Sequence, residues 1–157
     1  MPKRRGGMAY TRGEYIRSKP QIKIRRFTMG NAKAEYKHTI FLVSPYPTKI
    51  SGGAIESARI TANKILEIAS GVPFLLKIAV YPHEVVREHK MMGFAGADRI
   101  SAGMARSFGK AKTRAVRVRA NQAILAIYTN EEGMDIAKAA LKKASKKLPV
   151  PFKMVVN

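Results

Sequence analysis

The sequence predicts an α+β domain, a mixed or antiparallel sheet packed against two helices, with a basic N-terminal arm over residues 1–21 and a long glycine-rich basic loop over residues 91–112. Three observations carry that reading. Two stretches repeat apolar residues at three- and four-residue spacings. Seven shorter runs alternate or stay apolar, several of them bounded by Pro or Gly. Strand-like runs precede a helix twice over, with hairpin-like connections, instead of alternating strand with helix throughout. At 157 residues and 46% hydrophobic, the chain suits one domain of ordinary size with its own core.

Residues 1–21 lack a helical period and are punctuated by Gly6, Gly7, Gly13 and Pro20, so they read as an extended arm. Ile22, Ile24, Arg26 and Thr28 alternate with Lys23, Arg25 and Phe27, which predicts a strand with a basic face. His38 to Ser44 is a second strand, stopped by Pro45 and Pro47. From Ser51 to Ser70, Ile55, Ala58, Ala62, Ile65, Leu66 and Ala69 form a helical stripe, with Ser51 as N-cap and Gly71 with Pro73 at the far end. Phe74 to Val80 and Glu84 to His89 follow as strands, broken at Tyr81-Pro82. From Met91 to Lys112 the periodicity dissolves, as in a functional loop. Arg114 to Val118 and Ala123 to Tyr128 resume strand character. Thr129 with Glu132 has the spacing of a capping box for a last helix, Glu131 to Leu148, whose lysines crowd its outer side. Pro149 and Pro151 then precede a final strand, Phe152 to Val156.

Thirty Lys and Arg against ten Asp and Glu give a net charge of +20, and the sequence pI is near 10.6. A chain so charged calls for a polyanion, with nucleic acid ahead of an anionic membrane surface. The excess is uneven. Residues 1–50 hold 12 basic and 2 acidic side chains and residues 91–120 hold 7 and 1, whereas residues 51–90 are nearly balanced at 5 and 4. The longest apolar candidate, Val72 to Tyr81, is too short for a membrane span and is interrupted by Pro73 and Lys77. The basic start has no apolar stretch behind it, so no secretory signal is expected. Zero cysteines exclude disulfides and thiolate chemistry and suit a cytoplasmic setting.

Several patterns imitate catalytic motifs and fail on spacing. His83-Glu84 begins like a zinc-protease helix, but the next histidine is His89, in a strand-like run. Gly103 to Ala111 resembles a phosphate loop, yet the glycines are one residue too far apart and Ala111 stands where Ser or Thr is required. Asp98, Glu84 and Glu88 have no spacing that fixes two carboxylates together, and Glu14 and Glu35 are expected in local ion pairs. No catalytic residue, metal site, cofactor or small-molecule substrate is therefore expected.

Recognition chemistry remains. The cations of the arm and first strand, Lys3, Arg4, Arg5, Arg12, Arg17, Lys19, Lys23, Arg25 and Arg26, together with Arg114 at the start of a later strand, suit the phosphate oxygens of RNA. Tyr10, Tyr15 and Phe27 are interleaved aromatics able to stack on unpaired bases, ordinary packing of the arm being the competing account. Glycines in the 91–112 loop permit close backbone approach to RNA, and such a loop is expected to order against its partner.

Within that loop, Ala95-Gly-Ala-Asp-Arg99 followed by Gly103-Met104 and Ser107-Phe108-Gly109-Lys110 resembles the signature of the large-subunit ribosomal protein sixteen family, in its archaeal and eukaryotic L-ten-e branch. Glu56-Ser-Ala-Arg59, Ala62-Asn-Lys64, the Tyr81-Pro82-His83 turn and the Lys147-Leu148-Pro149 ending fall in the family's order, so the resemblance spans nearly the whole chain. The chain ends at Asn157 without the long tail of eukaryotic members, which points to an archaeal source. The resemblance implies a non-enzymatic constituent of the large ribosomal subunit. It would bind large-subunit rRNA near the peptidyl transferase region, help position tRNA and lie beside neighbouring ribosomal proteins. It also implies that Arg99, Arg106, Lys110 and Lys112 of the loop contact RNA. A free-standing RNA-binding or chromatin-like protein and an RNA-modifying enzyme are the alternatives. About 8 phosphate contacts would give a log-log salt slope of about −6 to −7.

Overall fold

Strand pairing divides the chain between two antiparallel sheets, seen in a computed structural model that describes residues 10–69, 71–89, 93 and 109–157. The larger sheet contains β1 (Thr28–Gly30), β2 (His38–Ser44), β4 (Phe74–Ile78), β7 (Gln122–Thr129) and β8 (Lys153–Val156), in the order β1-β4-β7-β2-β8. The smaller contains β3 (Thr48–Ser51), β5 (Glu84–Glu88) and β6 (Lys110–Val118), with β6 in the middle. Every pair is antiparallel, so of the two expected sheet types the antiparallel one holds. Two helices, α1 (Gly52–Ile68) and α2 (Met134–Ser145), pack on each other and on one face of the larger sheet.

Alternation along the strands selects that face. Ile40 and Leu42 of β2, Leu76 and Ile78 of β4, and Leu125 and Ile127 of β7 are buried in one cluster with Ile55, Ala58, Ala62 and Leu66 of α1 and Ala137, Ala140, Leu141 and Ala144 of α2. Burying each of these large aliphatic side chains stabilises the fold by roughly 1.5–3 kcal/mol. Alanines on both helices keep the helix pair close. Ser51 caps α1 as expected, its Oγ accepting the Ala54 N–H at 3.2 Å.

Four expectations need correction. Residues 22–27 form no strand: Ile24 is buried and the flanking cations are exposed, so the alternation is real. The backbone, however, meets the sheet only where Ile78 N–H donates to Phe27 O at 2.8 Å, and pairing begins at Thr28. The segment Thr48–Ser51 is a strand, paired with β6, that its sequence did not announce. Lys110 and Lys112 belong to β6 and not to a loop. Finally, the Thr129–Glu132 capping box does not form. Thr129 is buried at the end of β7, a 3-10 turn occupies Glu131–Gly133, and α2 starts at Met134. Gly133 explains the close fit, since a Cβ there would fall 2.1 Å from Thr129 Oγ1.

Candidate nucleic-acid interface

The N-terminal arm crosses the smaller sheet and is tied to it at three places. The Arg117 guanidinium of β6 lies 5.5 Å from the centre of the Tyr10 ring, a cation–π contact. Thr11 Oγ1 donates to Val85 O of β5 at 2.8 Å, and Arg114 Nε of β6 donates to Pro20 O at 2.7 Å. Between the tethers the chain bows outward through a short 3-10 turn at Gly13–Tyr15, leaving a cleft of about 1020 Å³ above β5 and β6. Arg12, Arg17, Lys49, Arg87 and Lys110 line it, together with Tyr10 and Tyr15.

These cations are not equivalent. Glu84, only 8% exposed, faces the cleft floor between Lys49 Nζ at 2.7 Å and Arg117 Nε at 3.5 Å. The Lys49 contact to Oε2 is an ion pair at close range. Arg87 Nε donates to Gly109 O at 2.9 Å, which pins the backbone where it enters β6. Gly109 is required there: its φ is +121°, and a Cβ would meet the Glu88 carbonyl at 2.8 Å. Lys112 is ion-paired with Glu88 of the neighbouring strand. Arg12, Arg17 and Lys110, by contrast, are exposed, and among the described residues no carboxylate pairs with them. The cleft therefore offers three uncommitted cations over a floor whose remaining charges are locked in place, with exposed Tyr15 at its edge.

The other candidates lie elsewhere. Lys19 and Lys23 are exposed, and Lys23 passes the N-terminal end of α1 with its Cδ near Gly53. Arg25 and Arg26 border a separate recess of about 430 Å³ beside Arg59 and Glu67 of α1. There Glu56 accepts from Arg59 at 2.7 and 2.9 Å, and this bonding, assisted by the Arg25 N–H and the charge of both arginines, holds its carboxyl below the usual range. Arg114 donates through Nε to Pro20 O, and Lys112, whose side chain stays 59% exposed, is ion-paired with Glu88. Lys3, Arg4, Arg5, Arg99 and Arg106 lie outside the described residues. Phe27 follows the packing account, stacked on Tyr81 with ring centres 5.7 Å apart and packed against the core. The carboxylates found in ion pairs among the described residues are Glu56, Glu84, Glu88 and Asp135, not Glu14 or Glu35. Sequence reasoning missed Lys49 and Arg87, whose places in the cleft depend on strand pairing and carry no local signal.

Among the described residues no group of three or more His, Cys, Asp or Glu side chains is arranged to hold a metal ion. No helix there is long and apolar enough to cross a membrane.

The model of the ribosomal protein L16p/L10e family matches residues 5–155. The chain belongs to this family. Relatives named large ribosomal subunit protein uL16 agree with that assignment. The one from Thermofilum pendens is 42% identical over 153 residues, covering 97% of this chain and 91% of the relative. One from Methanococcus maripaludis is 47% identical, covering 95% and 87%, and the one from Staphylothermus marinus is 44% identical, covering 95% and 86%. The family resemblance expected from the loop motif is thus established over almost the whole L16p/L10e chain, as is its leaning toward archaeal members.

Proposed function

We infer that this L16p/L10e chain is a structural constituent of the large ribosomal subunit, working in the cytoplasm as part of the ribosome and performing no reaction. It binds large-subunit rRNA near the peptidyl transferase region, lies beside neighbouring ribosomal proteins and helps position tRNA. The observation that carries the RNA reading is the arm cleft, where Arg12, Arg17 and Lys110 are held without carboxylate partners among the described residues. Guanidinium forks and an ammonium gathered around one cleft suit a phosphate backbone. Arg99 and Arg106 are assigned to the tRNA-facing side and the arm cations to anchoring on rRNA.

Sucrose-gradient sedimentation of cell extract tests the assignment. The chain should travel with the large subunit and remain there after a high-salt wash that strips loosely bound basic proteins. Migration at the top of the gradient would refute it. Arg99→Ala with Arg106→Ala should impair tRNA accommodation more than subunit incorporation, whereas equal loss of both would make those arginines assembly anchors.

A further inference from the structure

The larger sheet has a second face, turned away from α1 and α2, and its register can be read across all five strands. One row runs Thr28, Lys77, Ala126, Phe41, Val155. The rows on either side are Gly30, Leu75, Tyr128, Thr39 and Ala123, Val43, Lys153. Because direct cross-strand partners share a face, these twelve positions form one surface opposite the helix-covered core. None of Phe41, Val43, Leu75 and Tyr128 belongs to the core cluster, and each keeps partial exposure, while Val155 is 46% exposed. The charged residues among the twelve are Lys77 and Lys153, with no carboxylate; Glu35 and Glu131 sit in turns beyond the strand ends.

We propose that this sheet face is a second RNA site that stacks unpaired nucleobases on Phe41 and Tyr128, with Lys77 and Lys153 on the flanking phosphates. Phe41 and Tyr128 are diagonal neighbours on adjacent strands, with backbone positions about 7–8 Å apart, close to the reach of two successive splayed bases. Lys77 stands two strands from Phe41, about 10 Å away, a distance a phosphate beside a stacked base spans easily. Tyr128 is steadied from outside the sheet by Tyr36, whose ring is 6.5 Å away and whose hydroxyl donates to Asn31 O at 2.6 Å. Aromatic side chains on an open antiparallel sheet, flanked by cations, are a general solution for holding unpaired bases, since every base has a π-face. Among the described residues the charges at these strand positions are lysines and not carboxylates, which favours a polyanion over an apolar protein segment. The site rests on the rRNA reading above but uses neither the arm nor its cleft.

The full chain binding a nine-nucleotide single-stranded uridine oligomer, followed by fluorescence anisotropy over a salt series, separates the two. Phe41→Leu and Tyr128→Leu should each weaken binding about 5- to 150-fold while leaving the salt slope unchanged, because no charge is lost. Arg12→Ala with Arg17→Ala should lower the slope instead. If the cleft variants lower the slope and the aromatic variants stay within twofold of the parent, the sheet face does not stack bases and the rRNA reading survives. If no variant alters binding, both fail. Ultraviolet irradiation of large subunits containing the unaltered chain gives a readout independent of variant folding. A nucleotide adduct on the peptide of Phe41 or Tyr128 supports the site, whereas no such adduct, together with links from Lys77 and Lys153 to another protein under an amine-reactive cross-linker, would overturn it in favour of a protein neighbour.

Discussion

Replacing Arg12, Arg17 and Lys110 together by alanine isolates the cleft from the rest of the +20 charge, since these cations line it without carboxylate partners among the described residues. Each phosphate contact releases counterions and contributes about 0.7–0.9 to the log-log salt slope, so losing three should flatten it by about 2 to 3 units. Between 50 and 200 mM salt, the parent's affinity would then fall about 20- to 40-fold further than the variant's. Filter binding or anisotropy with a large-subunit rRNA fragment over that range reads the slope directly. Lys112→Ala is the matched control, because Lys112 is already paired with Glu88 and should change the slope by much less than the roughly 0.7–0.9 of a full contact. An unchanged slope in the triple variant, with about 0.7–0.9 lost by Lys112→Ala, would refute the assignment of cations to cleft and floor.

Glu84→Gln should lower stability without weakening RNA binding at low salt, since it leaves Lys49 and Arg117 facing each other over a buried amide. The cations are 25% and 39% exposed, so the loss is discounted from the buried-pair range to about 1–3 kcal/mol, a fall in melting temperature of about 2–12 °C by circular dichroism. An unchanged melting temperature would show that water had already screened the cluster. Gly109→Ala should destabilise by at least about 1–3 kcal/mol and also weaken RNA binding, because relief of the clash with Glu88 shifts Arg87 and Lys110 together. Loss of stability with full binding would disconnect this turn from the cleft. Glu56 gives a pH signature: its carboxyl is held below the unfolded value of about 4.3, so its contribution is complete above that value and disappears as pH falls through the lower, folded value. The difference in urea midpoint between the parent and Glu56→Gln should therefore be widest near pH 7, narrow once pH falls past the unfolded value, and close below the lower, folded one. A gap constant with pH would mean that packing, not the charge, is what the substitution removes.

Long periodic elements were legible because burial imposes the period and Pro or Gly marks the ends. That holds for β2 between His38 and Pro45, and for α1 between its Ser51 cap and Gly71. Four-residue β3 escaped notice because Thr48–Ser51 is too short to show a period and runs directly into a helix cap. Residues 22–27 carried a true strand pattern without a partner, since alternation reports which side is buried and not what the backbone bonds. At the site, composition alone picked out Arg12 and Arg17. It could not separate Lys110 from Lys112, two positions apart on one strand, because the difference lies across the sheet, in the carboxylate of Glu88. Arg87 and Lys49 entered the cleft only through the pairing of β3 and β5 on either side of β6.

The tethers of the arm also set an order of events during synthesis. Thr11 waits for Val85, 74 residues later, and Pro20 waits for Arg114, 94 residues later. At about 5–20 residues per second, the arm is outside the ribosome for roughly 5 to 20 seconds before β6 exists to receive it. Arg12 and Arg17 precede the sheet throughout that interval, and they join Lys110 around one cleft only when the clasp shuts. A nascent chain can thus meet a polyanion through its arm early, but it presents the assembled cleft only after β5 and β6 have been made.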